Sequence, residues 1–266
     1  MLRDITIGQY YPADSFVHQL DARFKIIVSF IFIISLFIIN DFYQYIPVIV
    51  SVLMVVKISR VPFKYILKGL KPIMLILIFA FVINIFLTKG EVIFSFWFLD
   101  ITKEGLHQAF FMMMRLIFLI TGTSLLTLTT SPIMLTDGLE NLLNPFKRIG
   151  LPAHELAMMM TIALRFIPTL LKETDKIMKA QMARGADFES GNIIKRAKSL
   201  IPLLVPLFIS AFRRADELAM AMEARCYRGG ENRTRLKILA YTRKDLIGLI
   251  FVGFYIASII GVKIYL

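Results

Sequence analysis

Two short basic signatures carry the most specific chemistry in this sequence. Ala183-Arg184-Gly185 and Ala224-Arg225-Cys226 each stand at the end of a long segment in which apolar residues recur at helical spacing. A lone arginine at a helix end would satisfy the carbonyl groups and the dipole of its own helix. The repetition favours a second interpretation, because each guanidinium offers a partner a fixed fork of donors that lysine cannot copy. We therefore predict that the two arginines are docking points for grooves on partner proteins.

The sequence contains no recognisable catalytic or metal-binding constellation. It has no phosphate-binding loop, and its three histidines, His18, His107 and His154, fall in separate segments without ligand spacing. Its one cysteine, Cys226, excludes an internal disulfide and a site built from several thiolates. We expect a non-enzymatic protein that holds no cofactor and no metal of its own.

Composition places the two signatures in a membrane protein. The chain of 266 residues is 57% hydrophobic, with a mean hydropathy of +0.70. Several apolar runs approach the roughly 20 residues that cross a hydrocarbon core. The net charge of +12 would suggest nucleic acid in a soluble protein, but no nucleic-acid-binding motif is present. Cytoplasmic loops of membrane proteins collect Lys and Arg, so the bilayer and not nucleic acid is the expected partner.

We predict an all-α fold with about five membrane-spanning helices. Their approximate bounds are 24–39, 43–56, 72–87, 109–128 and 246–266. The short segment Ser95 to Leu99, which holds the only tryptophan (Trp97), is interpreted as an interfacial or re-entrant turn. The predicted domains are an N-terminal membrane domain (1–130), a cytoplasmic coupling domain (131–245) and a C-terminal transmembrane helix (246–266).

The distribution of basic residues predicts the orientation. One side collects them, and the loops on the other side are poor in them. The basic residues on the first side are Arg23, Lys25, Lys57, Arg60, Lys64, Lys68 and Lys71. The N-terminus is therefore expected in the cytoplasm and the C-terminus outside. The first 23 residues show no cleavable signal, so the first membrane helix should act as its own insertion signal.

The stretch 131–245 is predicted to form amphipathic helices on the cytoplasmic side. Two apolar windows within it, 156–171 and 200–212, are bracketed by charged residues. If these windows formed a transmembrane hairpin, the strongly basic loop between them would lie outside, against the orientation rule. We expect them instead to pack on each other and against the membrane interface.

Helix signals divide this stretch into three helices. The first covers about 133–142, the second runs from Pro152 to Gly185, and the third runs from about Ile193 to Cys226. At 1.5 Å per residue, a helix of about 30 residues is some 45 Å long. Prolines are expected to bend the two long helices, at Pro168, Pro202 and Pro206.

Several short motifs, taken together, are more specific than either arginine signature alone. They are Ile7-Gly8-Gln9-Tyr10, Leu20–Lys25, Leu128–Pro132, Ala163–Pro168, Lys179–Gly185, Ile201–Pro206 and Glu223–Gly230. With these motifs the chain resembles, over nearly its whole length, the transmembrane T component of energy-coupling factor (ECF) transporters of the bacterial plasma membrane. These transporters import vitamins and other micronutrients.

The resemblance implies about five membrane helices and a cytoplasmic coupling domain of three helices. It also implies that two Ala-Arg-Gly signatures dock into grooves on two ABC-type ATPase subunits. The first carries over as Ala183, Arg184 and Gly185. The second carries over as Ala224 and Arg225, with Cys226 where glycine is the pattern. Because a thiol is small, we expect the docking contact to tolerate this difference.

The resemblance further implies an energy-coupling subunit that does not itself hydrolyse ATP. The two ATPases would move the long helices against each other, and the apolar helix faces would hold a separate membrane-embedded substrate-binding (S) component. The residues expected to contact the S component are Met159, Met160, Leu203 and Leu207. The S component would choose the vitamin or micronutrient.

Other classes of membrane protein remain as alternatives. A secondary transporter or an ordinary ABC permease would carry its own substrate site within the spans, and a membrane enzyme would need a catalytic cluster. Inside the predicted spans, Arg115 and Asn84 are the polar residues that stand out, and neither belongs to a carboxylate or histidine relay.

Overall fold

A computed structural model describes residues 10–96, 99–188, 192, 194, 198–229 and 239–265. These residues are predominantly α-helical, which confirms the predicted all-α class. Their nine α-helices are α1 (Ala22–Ile38), α2 (Tyr45–Ser59), α3 (Phe63–Leu70), α4 (Met74–Leu87), α5 (Lys103–Thr129), α6 (Pro132–Leu143), α7 (Ala153–Ala183), α8 (Ile201–Ala224) and α9 (Arg243–Tyr265). The predictions for Trp97 and for a helix start at Ile193 lie outside the described residues.

A β-hairpin connects α4 to α5. Strands β1 (Val92–Phe96) and β2 (Leu99–Thr102) pair antiparallel. The sequence predicted only an interfacial or re-entrant turn here, because hydropathy reports burial and not strand pairing. Thr102 then begins α5, since its Oγ1 accepts a hydrogen bond from the Gly105 N–H at 3.0 Å.

The chain is a multi-pass membrane protein. The described helices include five that are long and apolar enough to span a bilayer, at Phe42–Ser59, Phe63–Leu87, Lys103–Thr129, Ala153–Ala183 and Arg243–Tyr265. Four of these contain spans predicted from the sequence. The remaining predicted span is α1, whose 17 residues extend about 26 Å, less than the roughly 30 Å of a hydrocarbon core.

The fifth helix of sufficient length and hydropathy is α7, which the sequence analysis assigned to the cytoplasmic side. The apolar part of α7 fills a window of 18 residues with a mean hydropathy of 1.2, the lowest value among the five helices. Length and composition alone would therefore allow α7 to cross a membrane. Its placement outside the membrane rests on the orientation argument and remains a prediction.

The described residues fall into two compact units. One, which we call the membrane unit, comprises 8–142 and 238–266, and the other, the helix-pair unit, contains 143–237. The sequence analysis placed the divisions after residues 130 and 245, so it assigned α6 to the predicted coupling domain. It belongs to the membrane unit because Gly138 lets α6 lie directly on α1. A Cβ at Gly138 would be only 3.1 Å from the Ala22 Cβ.

Helix α5 is central to the membrane unit and contacts α1, α2, α3 and α4. Large apolar side chains around it form the core, among them Leu36, Ile39, Tyr45, Val48, Phe111, Leu128 and Tyr255. Gly122 allows α5 to approach α1 closely, since a Cβ there would lie 2.4 Å from the Phe32 ring. The core therefore fixes the position of α1, the helix that begins after the polar N-terminal segment.

Helix α8 begins at Ile201. Ser199 is helical, but Leu200 forms a turn. Pro202 therefore lies in the first turn of α8, where its missing N–H costs nothing, and does not bend a longer helix. Pro168 and Pro206 lie inside α7 and α8, each of which continues through its proline as one helix.

His18 is a buried histidine that precedes α1. Its Nε2 lies 2.9 Å from the Tyr11 carbonyl oxygen and its Nδ1 lies 2.7 Å from the Ser15 hydroxyl. A carbonyl oxygen can only accept, so Nε2 carries the proton and Nδ1 of the neutral ring accepts from Ser15. Burial lowers the pKa of His18, the Tyr11 carbonyl opposes this effect, and nearby Lys25 adds to the decrease.

We predict that His18 makes the protein less stable in mild acid. Because its pKa is lowered by folding, the unfolded chain takes up the proton first, so the stabilisation is complete above the ordinary value of 6.5 and decreases as the pH falls below it. Thermal unfolding in detergent, measured about one pH unit above and below that value, tests this. The wild type should lose more stability than His18→Gln, whose amide can still donate to Tyr11. An equal loss in both proteins would contradict the prediction.

Candidate docking site

The first arginine signature forms a closed helix end. Helix α7 finishes with Gly185 in the left-handed conformation at φ +86°. The Gly185 N–H donates to the Met182 carbonyl at 3.0 Å, and the Ala186 N–H donates to the Gln181 carbonyl at 3.0 Å. This pair of bonds is the Schellman arrangement, in which the backbone itself satisfies the last carbonyls of the helix. The Arg184 side chain is therefore not needed as a cap.

The second signature forms the same closure. Cys226 adopts the left-handed conformation at φ +55°. Its N–H donates to the Glu223 carbonyl at 2.8 Å, and the Tyr227 N–H donates to the Met222 carbonyl at 3.0 Å. Arg225, at φ −92° and ψ 12°, has nearly the same backbone as Arg184, at φ −91° and ψ 8°. The turn that glycine makes after the first arginine is thus made by cysteine after the second.

All six residues of the two signatures are exposed. Neither guanidinium makes a hydrogen bond or ion pair with the described part of the chain. Within its signature each arginine is flanked only by small residues, alanine before it and glycine or cysteine after it. The two helix ends therefore present free forks of donors.

Polar contacts lock α7 and α8 together as an antiparallel pair. Glu173 of α7 accepts from the Ser210 hydroxyl at 2.6 Å and forms an ion pair with Arg214 at 3.1 Å. At the other end, His154 Nε2 lies 3.3 Å from the Tyr227 hydroxyl. The beginning of α7 therefore meets the end of α8.

This antiparallel contact puts the two arginines at opposite ends of the pair. Arg225 lies two residues before Tyr227, which contacts the start of α7 at His154. Arg184 lies 30 residues after His154, about 45 Å along the helix axis at 1.5 Å per residue. A partner that held one arginine would therefore be well separated from a partner that held the other.

The residues predicted to contact an S component differ in exposure. Met159 and Met160 are exposed on α7, but Leu203 is 5% exposed and Leu207 is half-buried. Leu203 is therefore not available on the surface of this chain.

The exposed apolar face of α8 consists of neighbours that the sequence analysis did not select. Its residues are Ile201, Leu204, Val205, Phe208, Ile209 and Phe212. The sequence pattern that indicates this face is the spacing of four residues between Leu204, Phe208 and Phe212, which places the three side chains in one stripe along the helix.

The two polar residues inside the predicted spans have local partners. Asn84 Nδ2 donates to the carbonyl of Ala80 on the preceding turn at 2.8 Å. Arg115 of α5 donates to the Ile39 carbonyl at the end of α1 at 3.0 Å, and its guanidinium carbon lies 4.9 Å from the centre of the Phe111 ring. Arg115 thus caps a helix end inside the membrane unit.

Comparison with known proteins shows that this chain is similar to transport proteins. A family model described as CbiQ, cobalt transport protein, matches residues 13–236. Relatives named energy-coupling factor transporter transmembrane protein EcfT include that of Thermosediminibacter oceani, 62% identical over 95% of both chains. Those of Clostridium kluyveri (63% identical, 93% of this chain and 92% of the relative) and Bacillus subtilis (52% identical, 92% and 93%) are similar over nearly the same length.

We predict opposite effects of substitution at the two left-handed positions. Gly185→Ala should destabilise the protein by about 1–2 kcal/mol, because a Cβ in this conformation is strained even though its surroundings are open. Cys226→Gly should stabilise it by up to about 1 kcal/mol, because the same strain is removed. Thermal unfolding measures both effects. Gly253→Ala, in a helix and with nothing within 4 Å of the added Cβ, is the matched control and should not destabilise. Destabilisation by Cys226→Gly would show that the turn is not strained.

Proposed function

This chain belongs to the family of energy-coupling factor transporter transmembrane proteins (EcfT), and we propose that it transmits ATP-driven motion from two ABC-type ATPase subunits to a membrane-embedded S component. Membership confirms the resemblance inferred from the sequence motifs. The single observation that carries the proposed mechanism is the pair of free arginines at opposite ends of one locked helix pair.

Arg184 and Arg225 are the proposed docking points, one for each ATPase. The last carbonyl groups of both helices accept hydrogen bonds from backbone N–H groups, so all the guanidinium donors are available to bind a partner. Ala183 and Ala224 keep the approach open, and Gly185 and Cys226 turn the chain away from the docking face. The separation of about 45 Å suits two subunits that each hold one helix end.

Nucleotide-driven movement of the two ATPases would shift both ends of the helix pair at once. The ion pair of Glu173 with Arg214 and the hydrogen bond from Ser210 lie in the middle of the pair, where they resist sliding of one helix along the other. The pair would therefore move as a body and pass the displacement on, in place of the movement of one long helix against the other that the sequence analysis expected. ATP hydrolysis takes place on the partners, because this sequence has no phosphate-binding loop, and the chain itself is non-catalytic.

The apolar faces of α7 and α8 are the proposed contact for the S component. Phe208 and Phe212 are 60% and 68% exposed, and Met159 and Met160 of α7 are also exposed apolar side chains. An exposed apolar stripe of this size is typical of a binding surface, and methionine adapts to partners of different shape. Leu203 and Leu207 support this surface from below.

The proposed orientation has a cytoplasmic N-terminus and a C-terminus outside. In this orientation the coupling domain, with α7 and α8, lies at the cytoplasmic interface, where the ATPases can reach both arginines. If α7 crossed the membrane, Lys172, Lys176 and Lys179 would lie near its far end, against the positive-inside rule. The amphipathic placement is therefore preferred over the span that length alone would allow.

A substrate site of its own within the spans is less well supported. Arg115 is engaged with the Ile39 carbonyl and two aromatic rings, and Asn84 is engaged with its own helix. Polar groups that serve the helices in this way are not arranged to bind cargo. We propose that the cargo, a vitamin or another micronutrient, is bound and chosen by the S component.

Reversal of charge at either arginine should abolish docking of the ATPase that it holds. Arg184→Glu and Arg225→Glu should each reduce co-purification of ATPase and abolish ATP-driven uptake in proteoliposomes that contain the ATPases and an S component. A buried or hydrogen-bonded arginine contact of this kind is worth about 2 kcal/mol or more. Arg213→Glu, an exposed arginine in the middle of α8, is the matched control and should leave docking unchanged. Normal uptake and assembly in both test variants would refute the docking proposal.

Truncation of the α8 stripe should release the S component and spare the ATPases. Phe208→Ala combined with Phe212→Ala should weaken S-component association by about 2 kcal/mol or more, because large aromatic side chains dominate such contacts. The control is Phe254→Ala, which removes an equally exposed aromatic ring from α9. Quantitative co-purification of both partners is the measurement. If the S component is retained as well as in the control, its contact lies elsewhere.

A further inference from the structure

The first turn of α1 contacts both of the segments that join the two units. The chain leaves the membrane unit through α6, which ends at the boundary after residue 142, and it returns after residue 237. Residues 239–245, on the return segment, and α6, on the outgoing one, are both held by residues 21–26. All the contacts described below lie within the membrane unit.

The start of α9 is bonded to the start of α1. Asp245 Oδ1 accepts from the Asp21 N–H at 2.8 Å. The other oxygen, Oδ2, accepts from the N–H and the hydroxyl of Thr242, at 2.7 and 2.8 Å. One buried carboxylate thus closes the turn that enters α9 and attaches this turn to the residue that caps α1.

Arg23 holds the return segment at a second place. Its guanidinium forms two hydrogen bonds with the Asp21 carboxylate, at 3.1 and 2.8 Å, and donates to the Leu239 carbonyl at 3.0 Å. The Arg23 guanidinium carbon also lies 4.3 Å from the centre of the Tyr241 ring. The start of α1 therefore holds residues 239–245 near both ends, at Leu239 and Tyr241 and at Asp245.

The outgoing segment is held by the same end of α1. Lys25 Nζ donates to the Thr129 carbonyl, at the last residue of α5, at 2.9 Å, and to the His18 carbonyl at 3.2 Å. Three residues beyond Thr129, α6 begins and packs on Ala22 and Ile26 through Gly138. Lys25 thus fixes the place from which α6 departs.

The cluster contains two acids and two bases in a buried position. Asp21, Lys25 and Asp245 are 7%, 6% and 4% exposed. Burial by itself would raise the pKa of Asp21, but the hydrogen bonds and charge of Arg23 lower it overall, so this carboxyl is ionised at neutral pH. Burying a balanced set of charges costs as much as it gains, so stability alone does not account for it.

We propose that Asp21, Arg23, Lys25 and Asp245 form an anchor through which displacement of the helix-pair unit is delivered to the membrane helices. The anchor rests on the proposed coupling function and deepens it. A flexible connection would absorb movement, whereas a segment held by several directional bonds at one helix turn transfers it. These four residues are positioning residues, since they contact neither an ATPase signature nor the proposed S-component face.

The experiment measures coupling, as uptake per ATP hydrolysed, separately from assembly, as co-purification of the partners. Asp245→Asn keeps the size of the side chain but replaces one acceptor oxygen by an NH2 group, which cannot accept, so the side chain can no longer accept from Asp21 and Thr242 through two separate oxygens. In the assembled complex, uptake per ATP hydrolysed should fall about fivefold or more, a typical coupling energy between sites. Co-purification of the ATPases and the S component should stay at the wild-type level. Hydrogen exchange of the amides in 239–245 should become faster.

A milder variant tests the outgoing segment without removing a charge. Gly138→Ala adds a Cβ 3.1 Å from the Ala22 Cβ, although alanine is the better helix former. Uptake per ATP should fall, and adding Ala22→Gly should restore most of it. Gly253→Ala, whose Cβ meets nothing within 4 Å, is the control and should couple normally.

Two results would overturn the anchor. One is wild-type uptake per ATP in assembled complexes of both Asp245→Asn and Gly138→Ala. The other is faster exchange in 239–245 with unchanged coupling, which would make the cluster purely structural. Both results concern complexes that retain their ATPases, whereas the docking proposal fails only if the arginine variants retain them.

Discussion

Every helix end in this protein must find donors for its last carbonyl groups, and the rest of the structure depends on how it does so. At the end of α1 the donor is Arg115, and at the end of α5 it is Lys25. At the ends of α7 and α8 the donors are backbone N–H groups of the following turn. In a medium without water an unsatisfied carbonyl is costly, and at these two helix ends of the membrane unit a cationic side chain is spent on satisfying it. In the helix-pair unit the backbone closes the ends, and Arg184 and Arg225 remain available.

This difference distinguishes two roles of an arginine at a helix end, which are capping its own helix and docking to a partner. On sequence grounds, either arginine taken alone was compatible with plain capping, and only the repetition of the signature favoured docking. The Schellman bonds remove the need for capping, and the exposure of both guanidinium groups removes burial as an alternative reason for their presence. Cys226 strengthens the argument, because its strained left-handed backbone preserves at α8 the turn that Gly185 makes without strain at α7.

The sequence was sufficient for features that depend on local pattern and insufficient for those that depend on distant contacts. Hydropathy predicted the all-α class and most spans, and the turn residues predicted where α6 and α7 begin and end. The turn at Leu200, directly before α8, and the strand pairing of the hairpin before α5 do not follow from periodicity. Leu203 looked like a surface residue because Leu204 and Phe208 share its apolar pattern. Lys25 and Arg23 looked like ordinary basic loop residues, since the bonds to Thr129 and Leu239 join positions more than 100 residues apart.

Transmission of force requires parts that do not yield, and apolar packing alone is a weak way to provide them in a membrane. Lipid is as apolar as leucine, so no hydrophobic driving force holds one membrane helix against another. Directional polar bonds and close backbone approach remain, and both occur where movement would have to be passed on. Glu173 joins α7 to α8, and the four charges at the start of α1 join the segments that connect the units. Glycine serves the same purpose at Gly122 and Gly138, where an added Cβ would lie 2.4 Å from the Phe32 ring and 3.1 Å from the Ala22 Cβ. The stiff contacts are therefore polar or backbone-close, and the exposed apolar faces of α7 and α8 are left for the proposed partner.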